Sequence, residues 1–209
     1  MSKLSLTLAA IVAITAFSAV GCGNGQDRSA KTSSTAAMVS VDVTKAKQDL
    51  DQVARGLRNV RDASDSADLA KLYGDLKEPT GNLQGSLSEV QSTSERAVSA
   101  GTTQNDEWRM QANAFTDPQL RNASGKRQND LRTAVDALAA SNATLKTTGD
   151  AYMAQLGQSL KALDLDLTQQ GLQVIKPSIN RLIDDEAKLR DALTAVAEKG
   201  KAINGVINP

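Results

Sequence analysis

Cys22 is the one cysteine among 209 residues, and its thiol is the most versatile reactive group in the chain. A thiolate can attack a substrate, ligate a metal, pair in a disulfide or carry a modification. One cysteine excludes an intramolecular disulfide, so an exported domain must be stable without one. There is no histidine, which removes the commonest general base and the commonest transition-metal ligand. A Cys–His nucleophile cannot be assembled from such a chain, and with Cys22 committed elsewhere, as its setting indicates, no cysteine is left for a zinc site. Phosphate-binding loops, dinucleotide fingerprints and a Ser-centred elbow are also missing from the sequence.

The setting of Cys22 assigns the thiol a different task. Met1-Ser2-Lys3 is a short basic start, Leu4 to Val20 is apolar or small throughout, and Ala19-Val20-Gly21 leads into the cysteine. A charged start, an apolar middle and a small-residue exit describe a secretory signal peptide over residues 1–21. Small residues before cysteine resemble a bacterial lipobox, in which the thiol takes a diacylglyceride and becomes the first residue of the mature chain. Ala19 stands where leucine is commoner. Two other readings stay open: Ala19-Val20-Gly21 also fits ordinary signal-peptidase cleavage, and the apolar run can remain as an uncleaved anchor. Residue 23 is glycine rather than aspartate, which by resemblance to Gram-negative sorting favours the outer membrane, facing the periplasm. Residues 22–39 are rich in Gly, Ser, Thr and Ala and are expected to be a flexible tether behind the lipid.

Other candidate groups are few. Asp164 and Asp166 are two apart, so on a helix they diverge and cannot share an ion; the calcium-loop spacing is absent. Asp184-Asp185-Glu186 reads as a solvated face, although Glu186 falls on an apolar seam. Asn122-Ala-Ser124 and Asn142-Ala-Thr144 match the glycosylation pattern in a helical, bacterial setting, where it is incidental. Trp108 and Phe115 stand within two turns of an expected helix-hairpin tip. They either close that end or dock a partner, as interface aromatics do.

The elements that position these residues follow from periodicity. Val43, Ala46, Leu50, Val53, Leu57 and Val60 are spaced 3-4-3-4-3, a coiled-coil seam over about 40–63. Leu69 through Phe115 keep near one heptad register, which predicts a long helix over 66–116, with Ser64 or Ser66 as its cap. Asp117-Pro118 stops that helix and starts the next, over 118–166, whose seam includes Leu120, Leu131, Leu138 and Leu163. Thr168 can cap a last helix over 168–204. No stretch alternates with period two, so no sheet is expected. Long helices with short connections are antiparallel neighbours. The expected fold is all-α, an elongated antiparallel bundle over residues 40–206. Four helices would meet at one end, and mainly the central hairpin would continue to the tip. Pro79, Gly157 and Pro177 should lie within about one turn of each other along this rod. They either bend it at one height or are merely tolerated.

Leu163-Asp-Leu-Asp-Leu167-Thr-Gln-Gln-Gly-Leu172 resembles a segment of an uncharacterised bacterial lipoprotein family, a domain-of-unknown-function group. Glu107-Trp108 and Leu120-Arg-Asn-Ala-Ser124 resemble its hairpin region, and the patchy likeness spans Leu69 to Ile207. It implies long helices and an envelope location, but no chemistry. The family's histidine has no counterpart here, so its role does not carry over.

Charge is balanced, with 24 basic and 24 acidic residues. No basic stripe interleaved with aromatics exists for nucleic acid. The expected function is that of a non-enzymatic envelope lipoprotein, without cofactor or metal. It would be held to the membrane through Cys22 and act as a helical scaffold or interaction module toward a protein partner. The alternative is a regulatory or ligand-binding module taking a peptide or lipid in an interhelical groove.

Overall fold

The computed structural model describes residues 22–64 and 68–208. The expected signal peptide, and Ser66 as a cap, lie outside these. Four helices account for nearly all of the rest: α1 (Cys22–Arg61), α2 (Leu69–Ala112), α3 (Pro118–Leu165) and α4 (Gln169–Ile207). No strand occurs among the described residues. Consecutive helices pack on one another, α1 and α4 close the ring, and α2 touches α4 only slightly across the middle. This is an up-down-up-down antiparallel bundle. At 1.5 Å per residue the 48 residues of α3 span about 70 Å.

One expectation is overturned. Residues 22–39 are not a tether but the first part of α1, a helix of 40 residues. Its seam continues backward from Val43 through Val39, Ala36 and Thr32, at the same alternating 3 and 4 spacing. Thr32 is 2% exposed, and Ala36 and Val39 are 0% exposed. What they pack against explains why small residues suffice. A Cβ placed on Gly200 of α4 would stand 3.1 Å from the Ala36 carbonyl oxygen and 3.3 Å from the Val39 side chain. The backbones of α1 and α4 therefore approach closely here, and alanine and threonine fill the seam as completely as leucine does lower down. Thr32 Oγ1 donates to the Ala100 carbonyl of α2 at 3.3 Å, and Ser33 Oγ bonds Asn204 Oδ1 of α4 at 2.5 Å. Four helices consequently run together for most of the rod, not at one end alone.

The other boundaries shift modestly. Asp68, rather than Ser64, caps α2, its carboxylate accepting from the Lys71 amide at 2.9 Å. Asp117 caps α3 by accepting from the Gln119 amide at 2.7 Å, with Pro118 at the first helical position, where no amide hydrogen is needed. Thr168 caps α4 by accepting from the Gly171 amide at 3.1 Å. Asp166 stays exposed but holds this turn, its Oδ1 accepting from the Thr168 amide at 3.1 Å and from Oγ1 at 2.6 Å. The last helix continues to Ile207, whose side chain is 5% exposed.

The core is one continuous cluster along the rod. Leu138 lies within it at 0% exposure. Truncating Leu138 to alanine is expected to cost about 2–5 kcal/mol, read as a lowered denaturation midpoint with an unchanged slope.

Glu186 departs from the solvated-face reading, since its side chain is 12% exposed. It accepts from Arg58 Nη2 of α1 at 2.6 Å and from Arg190 Nη2 at 2.7 Å. Arg190 also pairs with Asp51 of α1, and these two carboxylates raise its pKa. The network ties α1 to α4 beside the seam. Asp185 bonds Lys188 at 2.6 Å, and Asp184 faces solvent as expected.

Candidate functional site at the hairpin tip

One end of the rod collects the start of α1, the α2–α3 turn and the end of α4. Arg28 of α1 forms an ion pair with Glu107 of α2. Arg127 of α3 donates to the Ile207 carbonyl at 2.9 Å, filling one of the acceptors that a helix end leaves open. Beyond Ile207, where α4 ends, no fourth helix covers the α2–α3 hairpin among the described residues. Side chains that would be seam residues lower down are left open there.

Trp108 is half-buried and packs against the end of the core. The Arg127 guanidinium lies over its ring, 4.4 Å from the centroid. Phe115 is 38% exposed on the turn itself. The Arg121 guanidinium grips that turn, Nη2 and Nε donating to the Phe115 carbonyl at 2.6 and 3.2 Å. Leu120, expected on the α3 seam, is instead 53% exposed, because α4 ends before reaching its level, and Met110 is 65% exposed. Trp108, Phe115, Leu120 and Arg127 line an open cleft of about 340 Å³. Trp108 and Phe115 are thus together at the tip as their spacing predicts. Leu120, expected on the seam, lines the cleft with them, and Arg127 joins without having been singled out, as does the exposed Met110 nearby on α2. The signal for Leu120 was the mismatch in length between the hairpin and α4.

Cys22 begins α1, and its side chain lies outside the described part. Arg28 lies six helical steps further on, about 9 Å, which brings the start of α1 level with the end of α2. Cys22 and the aromatic tip therefore share one end of the rod.

Pro79 and Pro177 lie inside α2 and α4, and both helices continue through them. Gly149 of α3 lies against Leu87 of α2. Stepping equally along both helices from that contact leads to Gly157 and Pro79. Ser159 of α3 bonds Ser178, the neighbour of Pro177, at 2.8 Å. The three residues thus stand within about one turn along the axis. Gly157 does not make room for a neighbouring helix, however. It faces solvent, and a Cβ there would meet nothing within 4 Å.

A second concavity, of about 520 Å³, runs between α1 and α2, with Thr32, Thr35, Met38, Ala100 and Gln104 along it and Arg28, Lys31 and Arg96 around it. Gln104 is 2% exposed, and its side-chain oxygen is without a hydrogen-bond partner. Deeper in the bundle, burial pushes the Tyr152 hydroxyl well above the usual phenol range, and the Glu186 charge adds to this. That hydroxyl also has no hydrogen-bond partner. Among the described residues no group of three or more His, Cys, Asp or Glu is placed to hold a metal ion, and no helix is long and apolar enough to cross a membrane.

Fold and site together define an elongated antiparallel four-helix bundle with an aromatic, partly apolar tip. No family model matches the chain, and no curated protein or solved structure matches it.

Proposed function

We propose that this chain is a non-enzymatic lipoprotein of the bacterial cell envelope, held through lipid on Cys22 and acting as a stiff helical scaffold or interaction module toward another envelope protein. The outer membrane, facing the periplasm, is the location that Gly23 favours. The resemblance to the uncharacterised lipoprotein family belongs to the same reading. The observation that carries it is the continuity of α1. The helix starts at Cys22 and packs along α2 and α4, so a lipid there holds a rod of about 70 Å with little slack. A rod attached at its end suits spacing or presentation of its sides. A second reading, a module that takes a peptide or lipid in an interhelical groove, is favoured by the α1–α2 concavity with its unpartnered Gln104 oxygen.

Photo-crosslinking in intact cells tests both. Probes at the exposed positions Val41, Arg132 and Gln173 sample the sides of the rod, and a probe at Met38 samples the groove. A scaffold is expected to yield the same protein partner from several side positions. Capture confined to Met38 supports the groove reading, and no capture above background from the sides overturns the scaffold.

A further inference from the structure

We propose that the α2–α3 tip is a second membrane contact, seating Met110, Phe115 and Leu120 in the interfacial layer of the bilayer beside the lipid on Cys22. This rests on the anchoring reading above and adds a surface and an orientation to it.

Three observations carry the inference. The first is position: α1 begins at Cys22 and is fixed to the tip by the Arg28–Glu107 ion pair. Acyl chains on that residue, or an uncleaved apolar run before it, bring a membrane to this end of the rod. The second is composition. Among the described residues seven large hydrophobic side chains are exposed, and Met110, Phe115 and Leu120 are three of them, all within the hairpin turn and its flanks. Trp108 stands behind them with one face covered by Arg127. An aromatic residue with an apolar body and a polar edge is the type that settles at a membrane–water boundary. The third is charge. Asp106 is paired with Arg109 at 3.1 Å, Glu107 with Arg28, and Asp117 caps α3. Lys126 stays exposed on α3, as do Arg121 and Arg127 beyond their bonds to the Phe115 and Ile207 carbonyls, and their remaining donors can meet lipid phosphates. The committed occupant is therefore a bilayer surface with anionic headgroups, and the rod stands up from it.

The chain holds one cysteine and one tryptophan, so the test needs no added labels. Residues 22–209, which contain all four helices and the whole core, are coupled through Cys22 to maleimide lipid in vesicles of phosphatidylcholine and phosphatidylglycerol. This imposes the anchor whether or not the cell lipidates Cys22. Spin-labelled lipids that quench at shallow depth are then added. Trp108 emission is expected to shift to the blue and lose about half its intensity, with acrylamide quenching reduced. The double variant Phe115→Ser, Leu120→Ser should abolish the lipid quenching while its circular dichroism stays unchanged, since both side chains are already exposed. Coupled wild-type protein whose Trp108 is quenched by acrylamide and untouched by the lipid quenchers would overturn the tip contact. Palmitate labelling in cells decides natural lipidation separately, so the two failures are distinguishable.

Discussion

Replacing Cys22 with serine is expected to move the protein from the membrane to the soluble fraction and to abolish palmitate labelling. Buried acyl chain contributes roughly 0.8 kcal/mol per CH₂, and two or more chains are needed for stable anchoring. Removing the acceptor therefore removes the dominant attraction to the bilayer. A tip contact alone would leave weak, reversible binding. The same experiment separates the readings of residues 1–22. An ordinary signal-peptidase product would be soluble and unlabelled in both forms. An uncleaved apolar anchor would keep both forms in the membrane. Loss of label and of membrane fractionation together, in the variant alone, is the outcome a lipoprotein requires.

Ala36→Asp is expected to destabilise the bundle by about 3–5 kcal/mol, because it places an unpaired carboxylate in a closed seam. Ala36 is 0% exposed, with its backbone close to Gly200. At this chain length the loss corresponds to a fall of roughly 6–20 °C in melting temperature. Ala37→Asp is the matched control: Ala37 is exposed on the same helix, and its substitution should stay within about 0.5 kcal/mol of wild type. A flexible tether over residues 22–39 would make the two variants alike. The comparison therefore tests whether α1 reaches the tip as a packed helix, on which the stiffness of the proposed attachment depends.

Both predictions rest on anchoring and packing. The most connected polar cluster, Arg58, Glu186, Arg190 and Asp51, is made of partners that neutralise one another across α1 and α4. Its side chains are partly exposed, so it contributes little to stability. It fixes which faces of the two helices meet. The Tyr152 hydroxyl, raised in pKa by burial, keeps its proton through the physiological range and adds no charge to this region.

Sequence alone determined the class, the seams and the turns. Leu50, Leu83, Leu138 and Leu182 recur at heptad intervals with their neighbours, and all four are fully buried. A 3-4 repeat keeps one stripe on one side of a helix whatever surrounds it. Asp117-Pro118 and Thr168 ended and restarted helices through bonds to their own next residues, so those turns were equally local. Tertiary structure alone decided the two ends of the story. Residues 22–37 lack the bulky apolar side chains that mark a seam. Ala36 and Val39 are buried because Gly200 lets another backbone come close, a contact between residues far apart in the chain. Leu120 has the right residue type at the right spacing and is nonetheless exposed, because α4 ends at Ile207 and leaves it uncovered. Periodicity states which face of a helix wants covering. Whether a partner is long enough, and small enough at the contact, to cover it depends on the other helices.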